Sequence, residues 1–450
     1  MADPATSPPL TRAGVQAAHE RIRPYVHHTP TLTNATLTAL ASSPRTPSSS
    51  SPATAAKETA DTTSSAEAEA RAEVGETTAP VNGSGKKAPV MRLYFKCENM
   101  QRIGAFKARG AFHALGRLID EPGWLEGGGR EKGVVTHSSG NHAQALSLAA
   151  RQHGIPAHIV MPTISPPPKI AATRGYGANI RFSGSTSTER EAEVAKVQAE
   201  TGARLIPPYD HPDIILGQGT LGLELQEDAA ALIAAEEQDA AVDGAAFFDY
   251  RAPESKTLER NLRRQGSSAT ANGNTSPAKK TRKGLDVILA PCGGGGMLSG
   301  VALSCEGTGI KVFGCEPSHQ GADDAKRGYE SGQRVRTVKT LTIADGLRTP
   351  LGDYPWGVIY ERKLVSGFYS VGEEQIKAAM RLVYERMKMV IEPSAAVPLA
   401  VALYDEGFRD MVSREAGEEG WDVGIVFSGG NVELGMLGEL FAAKPEGEGA

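Results

Sequence analysis

At 450 residues, with 40% hydrophobic side chains, the chain can hold two or three domains and bury a sizeable core. Its net charge of −5, with both signs interspersed, excludes the polybasic footprint of a nucleic-acid binder but permits a locally positive site for a small anion. No run reaches the roughly 18 apolar residues of a membrane helix, no signal-peptide start is present, and Cys97, Cys292, Cys305 and Cys315 lack CxxC spacing, so a soluble, reduced, cytoplasmic protein is expected.

In chain order, Thr11 is placed to cap an opening helix that stops near Pro24. From Ala41 to Arg92 there is no Phe, Tyr, Trp, Leu or Ile, a composition that cannot bury enough apolar surface to offset ordering, so a disordered insertion is expected there. A strand then leads into Lys96-Cys97-Glu98-Asn99-Met100-Gln101-Arg102-Ile103-Gly104, a polar turn, and a helix beginning near Phe106. Val134–Thr136, Ala157–Met161, Asp286–Ala290 and Val423–Phe427 are apolar runs of strand length. Asn141–Gln152, Ser187–Gly202 and Glu373–Met389 are long enough for crossover helices, and Glu227–Ala241 reads as an Ala-rich helix extension. A second insertion, basic and polar, is expected over 242–283. The βαβ rhythm predicts parallel sheets covered on both faces.

Four places carry candidate chemistry. Lys107 falls in the first turn of its helix, where the dipole disfavours positive charge; a neutral or covalently used lysine relieves that conflict, with an ordinary surface lysine as the competing reading. Thr136 to Gln144 joins strand to helix through Ser138, Ser139, Gly140, Asn141 and His142; hydroxyls and free N–H groups there suit a carboxylate, unless Ser139 or Asn141 is simply an N-cap. Gly293, Gly294, Gly295, Gly296 and Met297 follow a strand and open a helix, a device for holding phosphate, though a tight turn looks the same in sequence. No Gly-Lys-Ser/Thr follows, so it is not a Walker loop. Ser428-Gly429-Gly430-Asn431 follows the last apolar strand.

In this order the motifs resemble the fold-type II pyridoxal-phosphate enzymes, most closely the serine racemases and serine/threonine dehydratases. The resemblance runs through HTP at His28–Pro30, GAFKARGA at Gly104–Ala111, SSGNHAQA at Ser138–Ala145, GQGT at Gly217–Thr220, GGGGMLSG at Gly293–Gly300, ADGL at Ala344–Leu347, IEPSAA at Ile391–Ala396 and SGGNVEL at Ser428–Leu434. It implies an α/β protein of the tryptophan-synthase β type with two three-layer parallel-sheet domains. The implied boundaries are a large domain from 1–40, 93–132, 211–241 and 284–450, a small domain over 133–210, and insertions at 41–92 and 242–283.

It further implies that Lys107 forms the Schiff base with pyridoxal 5'-phosphate while Phe106 packs by its ring. Asn141 would bind the phenolic oxygen, Gly293 to Met297 the phosphate, and Ser428 the pyridine nitrogen. A serine cannot keep that nitrogen protonated as an aspartate can, which favours prompt loss of a β-leaving group. The implied reaction is conversion of L-serine, L-threonine or 3-hydroxyaspartate to a 2-oxo acid and ammonia. Ser138, Ser139, Asn141, His142 and Thr349 would contact this small amino-acid substrate. Ser139 matches the racemase residue that serves the second face of the α-carbon, with Lys107 on the first. Glu316, the Ala322 carbonyl and Asp324 match a Mg²⁺ or Ca²⁺ site, although the loop here is longer than in animal serine racemases. A homodimer is expected by analogy. Rivals are a chain that is mainly a racemase, a β-replacement synthase, or a non-catalytic pyridoxal-binding scaffold. Synthases of this fold usually carry Thr-Ser-Gly-Asn-Thr-Gly where this chain has Ser-Ser-Gly-Asn-His-Ala. The sequence after SGGNVEL is too short for the effector domain of long threonine deaminases, and the first insertion lies near the nucleotide segment of animal racemases.

Overall fold

The computed structural model describes residues 3–44, 87–243 and 282–442. Most of the two low-complexity segments therefore lies outside the described residues. Their edges correct the expected boundaries: Ala41 ends the helix Ala35–Ala41, and Met91 and Arg92 open strand β2. Thr11 caps the helix Arg12–Ile22 by accepting from the Gly14 amide, as its position suggested. Among the described residues no helix is long and apolar enough to cross a membrane, and all four cysteines are buried free thiols.

Among the described residues ten strands form two sheets. The larger has the order β1-β2-β10-β7-β8-β9 and the smaller β5-β4-β3-β6. In the larger sheet β1 (Thr31–Thr33) runs antiparallel to β2 (Met91–Cys97), a departure from the all-parallel expectation at one edge. Strands β10 (Trp421–Phe427), β7 (Val287–Pro291), β8 (Lys311–Pro317) and β9 (Gly367–Val371) continue in parallel. The smaller sheet contains β3 (Val134–His137), β4 (Ala157–Pro162), β5 (Asn179–Ser183) and β6 (Arg204–Leu205), all parallel.

The apolar runs read as they do because both sheet faces are covered. Leu93, Phe95, Leu289, Ile425 and Phe427 enter one core with the helices Glu373–Leu382 and Pro393–Tyr404. Their alternate neighbours Tyr94, Ile288, Ala290 and Val426 enter a second core with the helix Gly296–Ser304. The helix expected to reach Met389 ends at Leu382 and passes into a π turn over Val383–Met387. The smaller sheet is likewise sandwiched, with Val134, Ile159 and Met161 facing the helices Asn141–Gln152 and Lys107–Ile119, and Val135 and Val160 facing Ser187–Thr201.

Beneath the site lies a buried ionic network. Arg109 is fully buried and gives two bonds to Glu98 (2.8 and 2.8 Å) and two to Glu224 (2.7 and 2.7 Å). Lys96, also fully buried, pairs with Glu224 at 2.8 Å and donates to the Thr29 carbonyl at 2.6 Å. Burial alone pushes the Glu224 carboxyl up, but Arg109 and Lys96 together hold it down at about 2. The network ties β2 to the helix that carries Lys107 and to the long helix Pro212–Asp243. Removing one side of such a pair strands the other charge in the interior. Arg109→Met is therefore expected to cost about 3–5 kcal/mol of stability, read from urea unfolding; a loss under ~1 kcal/mol would show that the network is not a structural tie.

Candidate active site

Because β2, β10, β7 and β8 run parallel, their carboxyl ends share one edge, the usual place for a ligand in such sheets. From that edge β2 leads to Lys107, β10 to Ser428, β7 to the glycine run and β8 to the loop before Asp324. The smaller sheet contributes the turn 138–140 at the end of β3.

The turn before Lys107 is strained. Ile103 is β-branched yet has φ 59°, and Gly104 follows at 71°. Asn431 secures it by donating to the Ile103 carbonyl at 2.7 Å, while the Gly430 amide donates to Gly104 O at 2.9 Å. The Phe106 amide donates to the Ser428 carbonyl at 3.0 Å, so the start of the lysine helix is sewn to the end of β10. Lys107 is the first helical residue, as its motif required. Its Nζ donates to the Pro208 carbonyl at 2.7 Å and lies 5.1 Å from the centroid of the Phe106 ring. The residue is partly exposed, but its amine sits deep enough that desolvation brings its pKa down to about 8, with the Glu392 charge acting in the opposite direction. The sequence reading expected a weakened ammonium from the helix dipole; burial is the larger cause.

The glycine run is walled on every side. A Cβ at Gly293 would meet the Gly346 carbonyl at 2.9 Å, at Gly294 the Tyr209 ring at 2.5 Å, and at Gly296 the Tyr209 carbonyl at 2.9 Å. Gly295 adds φ 83°, the left-handed cap before the helix Gly296–Ser304, and that helix start has no side-chain cap. Met297, at 5% exposure, is the second residue of the helix. Uncapped amides at a helix start, lined by residues that admit no side chain, are the physical requirements of a phosphate cradle.

The turn after β3 departs from one reading. The N-cap is Gly140, with no side-chain cap bond, so neither Ser139 nor Asn141 caps the helix. Instead Ser138 Oγ accepts from the Gly140 amide at 3.3 Å, and Asn141 turns towards the large sheet. Its Nδ2 donates to Glu392 at 3.0 and 3.2 Å, and its Oδ1 accepts from Asn431 at 2.8 Å. Ser138 and Ser139 remain partly exposed. His142 is buried and neutral, its pKa pushed down to about 3 by burial first and by the nearby Lys107 charge, and its Nε2 meets the Ile206 carbonyl at 3.3 Å. Burial and the Asp345 charge push Glu392 up to about 7, against the Asn141 bonds and the Lys169 charge. Lys169 pairs with Asp345 at 2.6 Å, a second tie between the two sheets' elements.

Ser428 is 3% exposed at the end of β10. Thr349 is partly exposed in the loop after the turn Asp345–Leu347. Glu316, at the end of β8, and Asp324, which opens the helix Asp324–Ser331, are both buried, as is Ala322 in the loop between them. Burial and the Asp324 charge push Glu316 well up; burial pushes Asp324 up to about 7. Glu316 accepts from the Ala325 and Lys326 amides at 3.1 and 2.8 Å, whereas Asp324 Oδ2 is buried without a partner among the described residues. Among those residues no three His, Cys, Asp or Glu side chains converge as a metal cluster. Sequence reasoning did not single out Pro208 and Tyr209, whose roles depend on contacts with distant segments, and it named Asn431 without its bonds to Ile103 and Asn141.

These groups can hold an aldehyde cofactor with an anionic tail: a deep amine of lowered pKa, a side-chain-free cradle, and a carboxamide between them and Glu392. In the cofactor-free protein the neutral fraction of Lys107 rises with pH through its folded pKa. Labelling of Lys107 by trinitrobenzenesulfonate, read by peptide mass, is expected to reach half its maximal rate near pH 8. Glu392→Gln removes a charge that raises the Lys107 pKa, so the midpoint should move lower; a midpoint near the model-peptide lysine value of about 10.4 would contradict the burial argument.

The pyridoxal-phosphate dependent enzyme family matches residues 72–244 and 274–429. A serine racemase of Arabidopsis thaliana is 34% identical over 96% of this chain and 96% of its own length. An L-threo-3-hydroxyaspartate ammonia-lyase of Saccharomyces cerevisiae is 36% identical over 79% of this chain and 88% of its own. Among solved structures, a serine racemase from Dictyostelium discoideum superposes with a TM-score of 0.63 at 33% identity, covering 94% of this chain and 99% of the other. With its lysine, glycine cradle and Ser428 at one sheet edge, the chain belongs to the pyridoxal-phosphate dependent enzymes of fold type II.

Proposed function

We propose that the protein is an ammonia-lyase for small β-hydroxy amino acids, L-serine, L-threonine or L-threo-3-hydroxyaspartate, with serine racemisation as a companion activity. The observation that carries it is a low-pKa Lys107, near enough for its charge to lower the His142 pKa, beside the uncapped start of the helix Asn141–Gln152. Bound there, pyridoxal phosphate supplies an electron sink that acidifies the substrate α-carbon and lets the β-hydroxyl depart.

The chain's own residues do the rest. Lys107 Nζ, neutral in a large fraction near pH 8, moves the α-proton on one face. The Ser139 hydroxyl is the proton holder for the other face, and Ser138 with the free amides after Gly140 takes the substrate carboxylate. Neutral His142 supports this turn from below through its bond to Ile206. Asn141, held by Glu392 and Asn431, would bind the cofactor's ring oxygen, and Ser428 would meet the ring nitrogen with a hydroxyl whose pKa is too high to keep that nitrogen protonated. Thr349 borders the substrate side chain. The net change is loss of water and ammonia balanced by one water taken up.

We assign residues 133–210 to a smaller unit that closes over the site. Glu316, Asp324 and the Ala322 carbonyl form an all-oxygen donor set for Mg²⁺ or Ca²⁺, and the partnerless Asp324 Oδ2 beside a second buried carboxylate fits a cation that would offset their repulsion. A homodimer in a reducing, cytoplasmic setting suits the family and the four free thiols.

Incubation with each of the three amino acids, followed by assay of 2-oxo acid and of D-amino acid, tests the reading. Wild type is expected to release 2-oxo acid and ammonia in equal amounts. Ser139→Ala is expected to lower D-serine formation by about a hundredfold, the size of a lost acid–base group, with a smaller effect on 2-oxo acid. Sulfide-dependent cysteine as the sole product would overturn it in favour of a β-replacement synthase.

A further inference from the structure

The long helix Pro212–Asp243 is pressed between the two helices that make the site. A Cβ at Gly217 would stand 2.7 Å from the Arg109 carbonyl on the lysine helix, and one at Gly219 would stand 2.5 Å from the Gly300 carbonyl on the helix after the glycine run. These two close approaches carry the residue between them, Gln218, into the gap. Gln218 is 0% exposed, yet neither its Nε2 nor its Oε1 has a hydrogen-bond partner among the described residues. As placed, Nε2 lies 3.1 Å from where a Gly110 Cβ would be, and Oε1 lies 3.0 Å from where a Gly296 Cβ would be. A buried carboxamide whose donor and acceptor are both idle is an unfavourable use of a core position, and a ligand is what makes such a group worth burying. Its two ends are nearly isosteric, so a half-turn of the terminal bond presents either the N–H₂ or the carbonyl to Gly296 without repacking.

Resting on the cofactor reading above, we propose that Gln218 is a phosphate-binding residue: its Nε2 donates to the phosphate of the cofactor, the side-chain member of a cradle otherwise made of main-chain amides. The neighbouring walls are consistent with this. The Tyr209 ring stands over Gly294 and its carbonyl beside Gly296, so of the two side chains nearest these glycines Gln218 is the one beside Gly296.

The contact separates cofactors that differ only in the phosphate. Cofactor-free wild type, Gln218→Met and Gln218→Glu are titrated with pyridoxal 5'-phosphate and with pyridoxal, following the visible absorbance, and each apoprotein is melted in parallel. Gln218→Met is expected to weaken pyridoxal phosphate by about tenfold or more, the size of one lost bond to a charged group. Pyridoxal affinity should be unchanged, and the apoprotein should melt no lower because two idle polar atoms are gone. The ³¹P resonance of the bound phosphate should shift. Gln218→Glu, which sets a negative charge against the phosphate, should weaken pyridoxal phosphate further and pyridoxal less. Equal losses for both ligands in either variant, or no loss for pyridoxal phosphate in a Met variant that melts like wild type, would overturn the assignment of Gln218 alone. Failure of wild type to bind either aldehyde would overturn the cofactor reading along with it.

Discussion

Two cations stand two positions apart at the start of one helix and meet opposite surroundings, and the rest of the site depends on that difference. Arg109 is held by four bonds from two buried carboxylates, so its charge is fully compensated. Lys107 is held by one neutral carbonyl, and desolvation makes its proton easy to lose. Residues two apart on a helix do not share a face, so one turn of backbone serves both purposes. The guanidinium fixes the helix in place; the amine keeps a lowered pKa. Were the carboxylates placed beside Lys107 instead, they would hold its pKa up and leave less of the amine neutral near pH 8.

The remaining groups are set by the parallel strands. One edge of the large sheet receives the lysine helix, the glycine run and Ser428, each from a separate strand, and the smaller sheet brings the 138–141 turn to them. Polar ties run between the two sheets' elements, Asn141 to Glu392 and Asn431 and Lys169 to Asp345, beside the apolar packing of the helix Lys107–Ile119 on the helix Asn141–Gln152. Glu392 is buried with its proton affinity raised to about 7, so Asn141 is held by a group near its own titration point rather than by a permanent charge.

Much of this was legible in the amino-acid order. The helix Asn141–Gln152, the lysine at the first helical position and the strand before the glycine run all follow from local pattern. What local pattern could not reveal has a common cause. Strand β8 passes through the core as a short run without strict alternation, because both its faces are buried. The Asn141 side chain suits an N-cap by its type, yet a carboxylate 251 residues away competes for it and wins. Gln218, Asn431 and the carboxylates around Arg109 act through contacts between distant segments. The strain at Ile103 is likewise invisible in sequence, since a β-branched residue with positive φ is tolerated only where Asn431 and Gly430 hold the turn from outside.

The most direct test reduces the purified, cofactor-loaded protein with borohydride and maps the pyridoxyl group by peptide mass. The account requires a single modified residue, Lys107, with the label lost in Lys107→Ala. A pyridoxyl group on any other lysine, or a loaded protein that takes no label, would contradict it.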